Sequence, residues 1–313
     1  MDFLKLDRIV RATGDAAGCR LVFVDATRAA NAIAEKHEAG GYAAQLMGEA
    51  VAAALLVASG LKGPGTVQLR FSLSGDISRV AADATPFGLV RAMIPREEVL
   101  RTGSFEPMVL PQTLRVIKLD RDGSRVSEGI VEMASADISE SLTHYLRQSE
   151  QGASLLRVSA AWDSATGRLS HAGGVLLEMF PGHTEASRIA LEERVRAVDF
   201  TAHRRDRATE GDIGLDLDGL QAFFGGDGPA RELKVHKEFE IEPFCPCSEE
   251  GVLRALSSLG REGLESLFLE GGEAELFCEF CRKRYGVGQA KLLEMLNEAE
   301  ENEGGETEAE AGN

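Results

Sequence analysis

The chain has 313 residues, of which 43% are hydrophobic, 27% charged and 6% aromatic, proportions that suit a large globular domain with an appended module and argue against a fibrous or wholly disordered protein. A formal charge of −17 argues against binding a nucleic-acid backbone. Part of that charge sits at the end, where "NEAEENEGGETEAEAGN" (297–313) carries seven Glu and no Lys or Arg and reads as a disordered, solubilising tail.

The opening "MDFLKLDRIVRATGD" has neither a basic start nor an unbroken apolar core, so a cytoplasmic location is expected. Strand-like runs follow at "RLVFVDAT" (20–27), "TVQLRFSL" (66–73), "QTLRVIKL" (112–119), "LLRVSAAW" (155–162) and "GVLLEMF" (174–180), punctuated by Gly, Pro, Asp and Ser. Between the first two lies the apolar stretch from Tyr42 to Leu61, which Gln45 and Glu49 interrupt; a buried helix explains it better than a membrane span. A second helix is expected over 137–150, with Asp137 as its cap and Ile138, Leu142, Tyr145 and Leu146 on one face. Strands and helices do not alternate regularly, so the fold class is α+β, with a large mixed α/β core domain at the N-terminal side.

After residue 180 strand signals give way to charged, helix-like sequence. Leu191, Val195 and Val198 follow i, i+4, i+7 spacing and mark one amphipathic helix. Ile213, Leu217, Leu220 and Phe224 mark another, but Gly214 and Gly219 interrupt it, each at about 1 kcal/mol relative to Ala, so this helix depends on docking. "GGDGPARE" (225–232) is a connector to a cysteine-bearing segment that begins near 241.

Four of the five cysteines fall in that segment as C-x-C, thirty residues, C-x-x-C: Cys245, Cys247, Cys278 and Cys281. In a reducing compartment such clustering points to metal binding or redox chemistry rather than structural disulfides. Four thiolates in two pairs make a tetrahedral zinc cage, and in a module of roughly 60 residues a structural zinc worth about 10–16 kcal/mol would dominate folding. The C-x-C half is shorter than an ordinary knuckle and fits either an unusual knuckle or a thiol pair poised to oxidise. Arg282, Lys283 and Arg284 would favour thiolate, or else form a solvated basic face. Pro246, wedged inside the first pair, fixes its own φ and biases Cys245 toward extended backbone.

Other candidates are weaker. Cys19 sits at the edge of an apolar strand and reads as a buried structural residue, and His236 is not needed by a site that four cysteines complete. No G-x-S-x-G, H-E-x-x-H or G-x-x-x-x-G-K-[ST] motif occurs, so the expectation is that the protein is not an enzyme.

With the cysteine pattern in view, the chain resembles the heat shock protein 33 family of redox-regulated bacterial chaperones. "TVQLRFSLSGD" resembles the family's early strand motif, "YLRQSEQ" its Y-x-x-x-S-E-Q helix end, "GGVLLEMFP" its G-G-x-L-L-Q-x-x-P strand, and "CPCS…ALSSLG…FCEFCRKRY" its zinc domain. Glu178 stands where Gln is usual, and Ile77 and Ser78 follow Gly75 and Asp76 where the family has G-D-G-P.

The resemblance implies an ATP-independent holdase that is inactive when Cys245, Cys247, Cys278 and Cys281 bind one zinc. Oxidation would form Cys245–Cys247 and Cys278–Cys281 disulfides, release zinc and unfold the C-terminal region. The active species, often a homodimer, would hold unfolding client proteins, with no role for nucleic acid or membrane. The expected organisation is a core, client-binding and dimerisation domain over 1–182, a metastable helical linker over 183–240, a redox-switch zinc domain over 241–297 and the acidic tail over 298–313. Ile213, Leu217, Leu220 and Phe224 are the candidate client-binding stripe. Two other functions stay open: a thiol-disulfide oxidoreductase using "CEFC", and a constitutive zinc module that recruits partners.

Overall fold

The computed structural model describes residues 7–102, 107–149, 152–198, 233–269, 274–288, 290–291, 294–295 and 297. The architecture is α+β, and the chain divides after Phe244 into two compact units.

The first unit contains two sheets with a helix between them. One sheet has the order β10 (Lys234–Glu240), β1 (Arg8–Gly14), β2 (Cys19–Asp25), β9 (Arg168–Met179) and β8 (Ser154–Asp163), antiparallel throughout. The other runs β11 (Glu242–Pro243), β5 (Leu89–Met93), β4 (Arg79–Ala84), β3 (Gly65–Gly75), β6 (Val109–Asp120) and β7 (Arg125–Glu132), with only the short β11–β5 pair parallel. Helix α1 (Thr27–Lys36) leads into α2 (Gly41–Ala58), which packs on strands of both sheets. Helices α3 (Arg96–Thr102), α4 (Ile138–Ser149) and α5 (Glu185–Ala197) also belong to the unit among the described residues.

The apolar character of α2 follows from its position. It is long and apolar enough to cross a membrane, yet most of it is buried inside the protein, and a helix enclosed on all sides has no polar face to show. Close approach sets two glycines: a Cβ on Gly48 would lie 2.9 Å from the Cβ of Ala160, and one on Gly174 would lie 2.9 Å from Cδ1 of Leu56. The first sheet is covered on its other face as well. Val22 and Val24 of β2 point to the α2 core, whereas Leu21 and Phe23 join Leu191, Val195 and Val198 of the α5 region. Burial on both faces explains why β2 and β9 read as continuous apolar runs rather than alternating ones.

Capping matches the sequence at two helices. The Asp137 carboxylate accepts from the Glu140 backbone N–H at 3.0 Å, and Ile138, Leu142, Tyr145 and Leu146 are buried as their spacing predicts. Thr184 caps α5 by accepting from the Ser187 N–H, and at the other end the Arg157 guanidinium donates to the carbonyls of Val195 and Val198. Glu178, at the position where Gln was expected, pairs with Arg20 directly across β2 and β9.

The expected helical linker meets a different local structure at its end. Residues 234–240 are a strand, because "KVHKEFE" lies along the free edge of β1 with Phe239 opposite Ile9 and Glu238 opposite Val10. Glu242 and Pro243 then extend the second sheet, so both strands belong to the first compact unit, which ends at Phe244. The stripe of Ile213, Leu217, Leu220 and Phe224 lies outside the described residues.

Among its described residues the second unit has α6 (Glu249–Ser257), α7 (Gly260–Leu269) and a hairpin of β12 (Ala274–Phe277) and β13 (Arg284–Val287). Among the described residues its buried apolar cluster is Leu256, Leu264, Val287 and Met295. So small a core supplies little hydrophobic stabilisation.

Candidate metal centre

Two turns bring the cysteines together. Cys245 and Cys247 flank Pro246 just before α6, whose start is fixed by the Ser248 hydroxyl accepting from the Gly251 N–H at 3.1 Å. Cys278 and Cys281 lie in the turn between β12 and β13. There the Cys278 N–H donates to the Lys283 carbonyl at 3.0 Å and the Arg282 N–H to the Cys278 carbonyl at 2.9 Å. Closing this turn places Arg282 at φ +61°, a left-handed conformation that Gly adopts without penalty and Arg does not.

The four Sγ atoms lie within 4.8 Å of one another. Cys245 and Cys278 approach to 3.6 Å, and Cys247 and Cys281 to 3.3 Å, and these two contacts run between the two sequence pairs. A tetrahedral cation about 2.3 Å from each sulfur would space the sulfurs by about 3.8 Å. The donor set therefore fits a closed four-sulfur site for a thiophilic metal ion. All four residues are partly buried, and none of the four forms a disulfide.

The electrostatics of the cluster are uneven. Burial pushes the Cys247 thiol up, but hydrogen bonds from the Tyr285 hydroxyl and with Cys281, Cys245 and Cys278 together outweigh it and bring the pKa to about 7. Burial also acts on Cys281; there the bonds with Cys247 and Cys278 reinforce it and push the pKa to about 12, against an opposing bond from the Lys283 backbone N–H. The Tyr285 hydroxyl donates to Cys247 Sγ at 3.1 Å, and this bond holds its own pKa above the usual range. Tyr285 was not singled out by sequence reasoning; a lone hydroxyl-bearing aromatic in "CRKRY" was the available signal.

Two side chains of the basic run meet partners other than sulfur. Arg284 pairs with Glu275 across the hairpin, and the Lys283 ammonium lies over the Tyr285 ring, 5.0 Å from its centroid. His236 is on β10 in the first unit, where its Nε2 meets the Thr13 hydroxyl at 2.7 Å. Cys19 is fully buried in β2, and burial raises its thiol pKa.

Comparison with known proteins agrees with this organisation. The family model described as "Hsp33 protein" matches residues 7–288. The 33 kDa chaperonin of Microcystis aeruginosa is 32% identical over 307 residues, covering 93% of this chain and 97% of the relative. The 33 kDa chaperonin of Trichodesmium erythraeum is 30% identical over 306 residues, covering 94% of each. The crystal structure of the heat shock protein 33 homologue of Thermotoga maritima superposes with a TM-score of 0.73 at 22% identity, over 94% of this chain and 98% of that one.

Proposed function

The chain belongs to the Hsp33 family, and from that premise we propose that it is a redox-regulated, ATP-independent holdase chaperone. The observation that carries this reading is the convergence of all four sulfurs within 4.8 Å in a unit whose described residues form only a small apolar cluster. In the reduced form Cys245, Cys247, Cys278 and Cys281 would hold one zinc ion as thiolates. The bound ion supplies a cross-link that the cluster of Leu256, Leu264, Val287 and Met295 cannot replace.

A peroxide or hypochlorous acid would then oxidise Cys245 with Cys247 and Cys278 with Cys281. Each disulfide consumes two thiolates, so two of them use up the entire ligand set and release the ion. The second unit thereby loses its cross-link and unfolds, together with the linker ahead of it. The stripe of Ile213, Leu217, Leu220 and Phe224 becomes available to unfolding clients, and the active species is a homodimer. Residues 1–182 provide client binding and dimerisation, 183–240 the metastable linker and 241–297 the switch. The protein works in the cytoplasm and catalyses no covalent turnover.

The test divides one reduced, zinc-loaded preparation in two and treats half with hydrogen peroxide at elevated temperature. Suppression of aggregation of a heat-unfolding client should rise strongly in the oxidised half. Equal suppression in both halves would overturn the switch.

A further inference from the structure

We infer that clients are held by strand addition to the edge of β1, in the seat that β10 fills in this structure; this deepens the redox reading above and rests on it. The first sheet has two edges, and they are closed by different means. At β8 the cover is made of side chains. The Ser139 and Thr143 hydroxyls of α4 accept from the Val158 and Leu156 N–H groups, each at 3.0 Å, and donate to the carbonyls of the same two residues. Arg147, one turn further along α4, donates to the Ser154 carbonyl at 2.8 Å, and Gln45 of α2 accepts from the Trp162 N–H at 3.0 Å. Leu142 and Leu146 anchor α4 in the core, so that edge stays shut.

The other edge is closed by a strand. β10 lies antiparallel on β1, from Arg8 opposite Glu240 to Thr13 opposite Lys234, and is the outermost strand of its sheet. The Ile241 N–H donates to the Asp7 carbonyl at 3.0 Å. By antiparallel alternation the backbone groups of Ile9, Arg11 and Thr13 therefore also face β10, and those of Val10 and Ala12 face β2. Of the seven side chains of β10 only Val235 and Phe239 are half-buried; the rest are exposed. Phe239 lies under the Arg11 guanidinium, 4.9 Å from the ring centroid, and Glu238 pairs with Arg8 at 3.2 Å on the surface. β10 thus belongs to the sheet by backbone pairing more than by burial.

This strand also ends the segment 183–240 that the redox reading unfolds, and its chain runs on through β11 to Cys245. Once β10 leaves, Ile9, Arg11 and Thr13 present unpaired N–H and C=O groups on a sheet edge. An extended segment of an unfolding polypeptide satisfies them through its own backbone, whatever its sequence. A segment with alternating apolar side chains buries more on that seat than β10 does, so the client displaces the tethered strand. Folded proteins keep their own strand edges paired or covered, which gives selectivity for unfolding chains.

The test follows single amides of β1 by hydrogen exchange in the reduced protein, in the oxidised protein, and in the oxidised protein with reduced, carboxymethylated α-lactalbumin, a permanently unfolded chain. Ile9, Arg11 and Thr13 should be protected in the first, lose protection in the second and regain it in the third, while Val10 and Ala12 stay protected throughout. Protection of Ile9, Arg11 and Thr13 that survives oxidation and zinc release without client, whether β10 stays or a second copy supplies the strand, would overturn strand addition. So would a client held with these three amides still open. If the oxidised protein held no client at all, the redox reading would fall first and strand addition with it.

Discussion

In the first unit Met47, Leu55 and Phe71 are buried between two sheets, within a cluster that draws on both sheets and four of the helices around them. Among the described residues of the second unit Leu256, Leu264, Val287 and Met295 form an apolar cluster, and four sulfurs of the same unit fit one cation. The first unit draws its stability from this burial. On the proposed reading the second unit, whose cluster among the described residues is small, depends on its ligands for stability. On that reading one chain can keep part of its structure while another part responds to thiol chemistry.

That contrast is broken most directly by removing the metal. Chelation under reducing conditions should unfold the second unit, which loses a term of about 10–16 kcal/mol, and leave the first unit's circular dichroism and its melting transition in place. Loss of both transitions together would contradict the independence of the units. The converse perturbation is Phe71→Ala, in a residue 1% exposed, which should cost the first unit about 3–5 kcal/mol in urea unfolding without changing zinc stoichiometry.

Two smaller effects sharpen the comparison. Glu49, half-buried on α2, has its pKa raised from 4.5 to about 7, by burial first and then by Asp137, against a bond from the Ala160 backbone N–H. The folded chain therefore keeps a proton that the unfolded chain loses. The stabilisation is full below pH 4.5 and disappears as pH rises through 7. Glu49→Gln should flatten this dependence and add about 2 kcal/mol to the first unit at pH 8, read from urea midpoints across pH. In the second unit Arg282→Gly relieves the left-handed backbone at φ +61° and should stabilise the zinc-bound form by about 1 kcal/mol, measured as a higher chelator concentration for half-unfolding.

Much of this could be read from residue order. Strands β2 and β9 stood out because burial on both faces makes them continuously apolar, and α2 because it is enclosed. Strand β1, "RIVRATG", did not, since Ile9 and Val10 are both buried and no alternation survives between its arginines. Strand β10 was hidden for another reason: in "KVHKEFE" most side chains are charged, and only pairing with β1 makes a strand of it. The four clustered cysteines were legible because the chain has just five. Tyr285 and Arg282 were not, because their roles arise from a hairpin register and a turn conformation that spacing alone does not encode.

The central claim is that the state of four sulfurs decides whether the second unit is folded. Hydrogen exchange, followed by region in a single preparation before and after peroxide at elevated temperature, tests it most directly. The account predicts that residues 245–287 lose protection as zinc is released, while β2 and α2 keep theirs. Unchanged protection across 245–287 with all four thiols oxidised would contradict it.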